Sequence, residues 1–178
     1  TIGGNIGTAS PAGDTLPPLF VLRAELELVS REQSRTLPIR DFIRGPGLTA
    51  LQPGEIVGAV WVKKPLDGSI HHFEKVGHRN ALACSVASLA ALLHVSGSGT
   101  VEAASLAWGS VGPGIVEIPQ VEQQLAGSPL SREVLEAASM MVRAAVAPID
   151  DVRASADYRR LVAGSLLLRL VAELPSRK

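Results

Sequence analysis

Ala81-Leu82-Ala83-Cys84-Ser85-Val86-Ala87-Ser88-Leu89-Ala90-Ala91-Leu92-Leu93-His94-Val95 is the run on which the architecture of the chain turns. Its alanines favour a helix, while its length and the Gly97-Ser98-Gly99 turn behind it allow a long strand. As a strand it would take Thr100 to Ser110 as its partner through a Gly97–Gly99 hairpin. Ile70 to Val76, in front of the run, also reads as a strand.

On the C-terminal side the period becomes helical beyond Pro119. Val121 to Leu125 predicts a short helix. Ser131 can cap a longer one, in which Val134, Ala138, Met141, Val142 and Ala145 share a face until Pro148 stops it. A last helix is expected from about Ala156 to Leu174, with Tyr158, Leu161, Val162, Ser165 and Leu168 on one side.

On the N-terminal side, Pro65 to Gly68 separates this unit from an earlier one. Glu55 to Lys63 is rich in Ile, Val and Trp, as strands are. Gly45-Pro46-Gly47 and Pro53-Gly54 break the chain. Glu25 to Val29 alternates polar and apolar residues, Ser30 to Ser34 makes a turn, and Arg35 to Ile39 can return, so a hairpin is the economical reading. Leu16 to Ala24, with prolines at its start, reads as a short helical turn.

The composition suits a folded domain packed with Ala, Val and Leu: 178 residues, 46% hydrophobic, 19% charged, 3% aromatic. Lys plus Arg and Asp plus Glu both number 17, so no net field favours nucleic acid or an anionic membrane. Base-stacking aromatics are also scarce. Cys84 is the only cysteine, which excludes an internal disulfide, iron–sulfur ligation and a thiolate zinc site, and fits a reducing cytoplasm. The most apolar stretch, Leu161 to Leu174, is interrupted by Arg169 and Glu173 and belongs in a core rather than a bilayer.

The opening stretch, Thr1-Ile2-Gly3-Gly4-Asn5-Ile6-Gly7-Thr8-Ala9-Ser10-Pro11-Ala12-Gly13-Asp14, carries the chemistry. Adjacent glycines leave no Cβ in the way, so successive N–H groups can face one concavity and a diphosphate can approach. Asn5, Thr8 and Ser10 can donate to phosphate or ribose oxygens, and Asp14 can accept from a ribose or an amino group. The same composition also suits a plain turn or a flexible terminus. It is not the dinucleotide fingerprint: Gly3, Gly4 and Gly7 do not fit G-x-G-x-x-G, no strand precedes them, and no helical pattern follows directly.

The run TIGGNIGTASPAGDTLPPLFVL resembles the second flavin-binding motif of the FAD subunit of molybdenum hydroxylases, the xanthine dehydrogenase and carbon monoxide dehydrogenase group. The likeness continues in LPIRDFIRGPGLTALQPGEIV, in the element Phe73, Lys75, Arg79, and in PIDDVRASADYRR. It implies an α+β fold, the second half of a PCMH-type FAD-binding domain over residues 1–65. A three-stranded antiparallel sheet packed with a helical group follows over 69–176, and the strand reading of the alanine run is the one this favours.

By resemblance, Thr1, Gly3, Gly4, Asn5, Thr8 and Asp14 hold the FAD diphosphate and ribose, Val57 lies near the adenine, and Lys75 lies near the flavin. The implied activity is electron transfer from 2Fe-2S clusters through FAD to NAD or another acceptor. Molybdopterin and the clusters belong to partner subunits, one molybdopterin-binding and one iron–sulfur. The chemistry is the cofactor's, so no catalytic acid, base, nucleophile or metal ligand is expected here. The family's first Gly-rich FAD motif is not in this sequence, so an upstream half of the FAD domain is an expected partner. The rival from another class is a cofactor-free assembly module of such a complex. A reductase acting on a sugar nucleotide is disfavoured because no general acid is evident.

The remaining constellations read as structural. His71 and His72 alternate faces of a strand and cannot chelate one ion together; His78 and His94 lack an obvious partner. Arg79 reads as a solvated cation beside a turn. Cys84, in an apolar run, reads as a buried packing thiol. Ser10 and Ser85 lack the strand-turn-helix context of a G-x-S-x-G nucleophile. Asp150, Asp151, Arg153, Asp157, Arg159 and Arg160 read as helix-end charges, with Arg153 and Asp157 as an (i, i+4) pair.

Overall fold

A computed structural model describes residues 1–79 and 82–173. The expected helix end at Leu174 and the end of the second unit at 176 lie outside the described residues. The first part of the chain runs α1 (Ile2–Thr8), α2 (Leu16–Val21), β1 (Glu25–Val29), β2 (Ser34–Pro38), α3 (Ile39–Phe42), β3 (Ile43–Gly45), β4 (Leu48–Thr49) and β5 (Ile56–Trp61). Strands β2, β1 and β5 form an antiparallel sheet in that order. The alternation in β1 sends Leu26 and Leu28 into the core, as its sequence pattern requires. Between β1 and β5 the register shifts: Glu27 faces Ala59 and Leu28 faces Val57, which leaves Gly58 as the extra residue of a bulge. A Cβ on Gly58 would stand 2.6 Å from Val29 Cγ2, so a side chain there would force Val29 to shift.

The second part carries β6 (Ile70–Val76), β7 (Ala87–Val95) and β8 (Val101–Gly109), antiparallel in the order β6-β7-β8. The alanine-rich run is therefore a strand from Ala87 onward, and residues 82–86 form its approach. Leu89, Ala91 and Leu93 of β7 face one core while Ala90 faces another, so the strand is buried on both sides. That double burial is why its sequence is a near-continuous apolar run with no period of 2 to read.

Helices α4 (Pro119–Leu125), α5 (Arg132–Ala145) and α6 (Ala156–Leu167), with a terminal 3-10 turn (Leu168–Glu173), cover one face of this sheet. Ser131 and Ser155 cap α5 and α6, their hydroxyls accepting from the N–H groups of Val134 and Tyr158. The α5 face differs from expectation at its edges: Leu135 and Ser139 are buried and Ala145 is exposed. The α6 face is rotated. Tyr158 and Leu161 are about half exposed, whereas Arg159, Val162, Ala163, Leu166 and Leu167 point inward.

The other face of the sheet packs on the first part of the chain, where Ala90 and Ala107 join a cluster with Ile6, Leu16, Phe20, Leu26, Leu28 and Phe42. Polar contacts lock the seam. Ser110 N–H donates to Pro11 O at 2.8 Å, Ser105 Oγ donates to Val21 O at 3.3 Å, and Arg40 Nε donates to Glu117 Oε2 at 2.7 Å. A Cβ on Gly109 would lie 2.5 Å from Ser88 Oγ and 3.1 Å from Pro17 Cγ, so the approach of α2 to β8 depends on that glycine.

Candidate functional site

The opening stretch is not the open loop expected from its glycines. Ile2–Thr8 forms a helix, begun by Thr1, whose hydroxyl accepts from the Gly4 N–H at 3.0 Å, and ended by Ala9 in the left-handed region. Ile6 anchors it in the core. In a helix, residues 3, 4, 7 and 8 lie along one face, so Gly3, Gly4, Gly7 and Thr8 make a strip of nearly bare backbone. The N–H groups of Ile2 and Gly3 have no acceptor among the described residues.

None of these glycines has positive φ. A Cβ on Gly3 would make ordinary contacts of 3.8 and 3.9 Å with Val57, one on Gly7 would meet nothing within 4 Å, and one on Gly4 would press on Thr1 Oγ1 at 3.0 Å. Each glycine costs a helix about 1 kcal/mol relative to alanine. The fold therefore gives no reason for Gly3 or Gly7; the bare backbone they leave is the reason that remains.

Residues 9–15 wrap around the Asn5 side chain, whose Oδ1 accepts from the Thr15 hydroxyl, while its amide nitrogen has no partner among the described residues and remains a donor. Thr8 Oγ1 gives its proton to Gly4 O at 2.8 Å, so its lone pairs rather than its proton face outward. Ser10 Oγ accepts from Ala12 N–H at 3.3 Å.

Asp14 and Lys75 meet. The Lys75 ammonium donates to Asp14 Oδ2 and, at 3.0 Å, to Ala83 O; the hydroxyl of Ser85 donates to Asp14 Oδ1 at 2.5 Å. Both partners of the ion pair are about one-third exposed. Val57 stands beside Gly3, half-buried, next to the bulge at Gly58. The eight residues singled out from sequence thus form two linked groups: Thr1, Gly3, Gly4, Asn5, Thr8 and Val57 on and beside α1, and Asp14 with Lys75 at the seam. Sequence reasoning missed Ser85 as a member. A buried hydroxyl two residues ahead of a strand carries no pattern that separates it from a packing serine.

The other expected features resolve as follows. Arg79 donates to the Leu82 carbonyl, and Cys84 is exposed rather than buried. His78 Nε2 contacts Arg153 O at 2.5 Å, and His94 faces Glu102 at 3.2 Å. Arg153 does not pair with Asp157. Asp151 instead receives Arg153 and the buried Arg159, and the Arg153 guanidinium first, then Arg159, holds its carboxyl well below the usual range. Among the described residues, no cluster of His, Cys, Asp and Glu could hold a metal ion, and no helix is long and apolar enough to cross a membrane.

Comparison with known proteins identifies the family. Residues 1–64 match the FAD binding domain in molybdopterin dehydrogenase, and residues 72–174 match the CO dehydrogenase flavoprotein C-terminal domain. The chain is 31% identical to the carbon monoxide dehydrogenase medium chain of Afipia carboxidovorans, covering 99% of this chain and 61% of that one. It is 32% identical to the nicotinate dehydrogenase FAD-subunit of Eubacterium barkeri over 90% of this chain and 55% of that one. The solved structure of Cu,Mo-CO dehydrogenase superposes on 97% of the chain and 60% of that chain with a TM-score of 0.89 at 31% identity. The chain spans about three-fifths of the length of these relatives. The chain belongs to the family of FAD-binding subunits of the molybdenum hydroxylases.

Proposed function

We propose that the chain binds FAD as the electron-transfer subunit of a molybdenum hydroxylase, receiving electrons from 2Fe-2S clusters and passing them to NAD or another acceptor. The flavin half occupies residues 1–65 and the supporting unit 69–176. Molybdopterin and the clusters sit on partner chains, and the remaining part of the FAD domain is supplied from outside these residues. The observation that carries this reading is the pair Gly3 and Gly7 on α1, which helix energetics disfavours and internal packing does not require.

The residues fit the cofactor. The bare strip of Gly3, Gly4 and Gly7, with the free N–H groups of Ile2 and Gly3 and the Asn5 amide, offers donors to a diphosphate without side chains to obstruct it. Thr1 shapes the start of that strip and Thr8 presents acceptor lone pairs along it. Val57 supplies an apolar surface beside Gly3 for the adenine. Asp14 orients a ribose or ribityl hydroxyl, and Lys75 places positive charge at the flavin, which favours electron acceptance there. When bound, FAD supplies a two-electron store between one-electron clusters and the final acceptor.

Protein purified with its partner subunits is expected to carry one FAD per chain, read from the flavin band at about 450 nm and from the released cofactor. A complex assembled without flavin would make this chain a scaffold instead.

A further inference from the structure

We propose that Ser85 is a positioning residue of the flavin site, acting through Asp14: its hydroxyl aims the Asp14 carboxylate and, with it, the Lys75 ammonium. The inference rests on the flavin reading above and adds to it a residue from the second part of the chain.

Ser85 is fully buried, and it spends its single proton on a carboxylate that lies 71 positions away in sequence. It is fixed before it reaches Asp14. The next residue, Val86, donates its N–H to Val76 O at 2.7 Å, and the Ser85 carbonyl accepts from Arg153 Nη1 at 3.4 Å. Arg153 is itself held by Asp151 through Nε at 3.0 Å and Nη2 at 2.6 Å. The helical side of the molecule therefore determines where the Ser85 hydroxyl stands.

Asp14 is differently placed. Its side chain is 38% exposed, on a loop after a short helix, and only Ser85 and Lys75 bind its oxygens among the described residues. A carboxylate has about four lone-pair sites. With one oxygen on Ser85 and the other on Lys75, the sites left over point in fixed directions, suited to accepting from a ligand hydroxyl. Lys75 has three N–H donors, of which Asp14 and Ala83 O take two. The third is thereby aimed as well. Without the Ser85 hydroxyl, the carboxylate would keep a single tether and swing about it, and the directions of both groups would be lost. The Ser85 proton is well used in fixing an anion.

The test is FAD affinity in the protein purified with its partners, stripped of flavin and titrated. Ser85→Ala is expected to weaken binding about tenfold, the size of one lost hydrogen bond to a charged group. Ser85→Cys keeps the volume but donates weakly, and is expected to lose FAD affinity like Ser85→Ala while melting close to wild type. In an Asp14→Ala background, Ser85→Ala should change affinity by no more than about twofold, because the group it positions is gone. Equal FAD affinity in wild type and Ser85→Ala overturns the inference alone, as does a full loss that persists in the Asp14→Ala background. A wild type that takes up no FAD overturns the flavin reading, and this inference with it.

Discussion

Glu55 shows how much a single residue's surroundings decide. Its side chain is only 4% exposed and receives Arg35 through Nε at 2.7 Å and Nη2 at 2.9 Å, with the Gln52 N–H at 2.8 Å. The Arg35 hydrogen bonds first, then that of Gln52, pull its pKa from 4.5 down to about 2. A carboxylate depressed in the folded state stabilises above its unfolded pKa, and that contribution disappears as pH falls through the folded value. In Arg35→Met the difference in stability from wild type should therefore be full at neutral pH and shrink between about pH 4.5 and pH 2. Urea unfolding across that range checks it, and a difference that stays constant with pH would refute the assignment. Lys75 was legible at this scale because it sits in a motif, whereas Ser85, which shares its carboxylate partner, was not. Cys84 was misread because the apolar run was taken to be buried from its first residue, whereas continuous burial begins only at Ser85.

Elements were legible where one side faces water and the other does not. The β1–β2 hairpin falls where its alternation placed it, and β6 spans the residues expected. Other elements resisted: α3, which takes Ile39 from the expected strand, and the short β3 and β4 were not foreseen, and two helices were misread. Helix α1 was hidden by three glycines, the residues that weaken the helix signal most after proline, although Thr1 is a sound N-cap. Helix α6 was misphased because Arg159 was read as a helix-end charge; its guanidinium is buried, with Nη1 donating to the carbonyls of Val86 and Ser110 and Nη2 to Asp151, while Nε has no partner among the described residues. With Arg159 inside, the face through Val162, Ala163, Leu166 and Leu167 becomes coherent. The same geometry brings α6 against α5 at Gly164, where a Cβ would meet Ser139 Oγ at 2.6 Å and Arg143 Cγ at 2.8 Å. Gly164→Ala should destabilise the protein by about 1–3 kcal/mol through overpacking, despite the better helix propensity of alanine. Denaturant unfolding measures this, and an unchanged or raised midpoint would contradict the close approach.

At the scale of the molecule, the sheet β6-β7-β8 carries a core on each face, one shared with α4 to α6 and one with the α1–β5 part. The two halves of the chain thus meet at the seam where Asp14 and Lys75 pair. Sequence periodicity indicates the strands and helices but not this seam, because contacts such as Arg40 with Glu117 or Asp14 with Lys75 join residues 61 to 77 positions apart. The family motifs, not the periodicity, singled out both Asp14 and Lys75, which the fold pairs. On the flavin reading, Gly3 and Gly7 serve a ligand and not the fold. The double variant Gly3→Ala/Gly7→Ala separates the two, because alanine fits at both positions and favours the helix by about 0.5–1 kcal/mol each. FAD content and affinity are measured beside the melting temperature of the flavin-free protein: a melting temperature at or above wild type with FAD lost is expected, and stoichiometric FAD at wild-type affinity would show that these glycines do not serve the flavin.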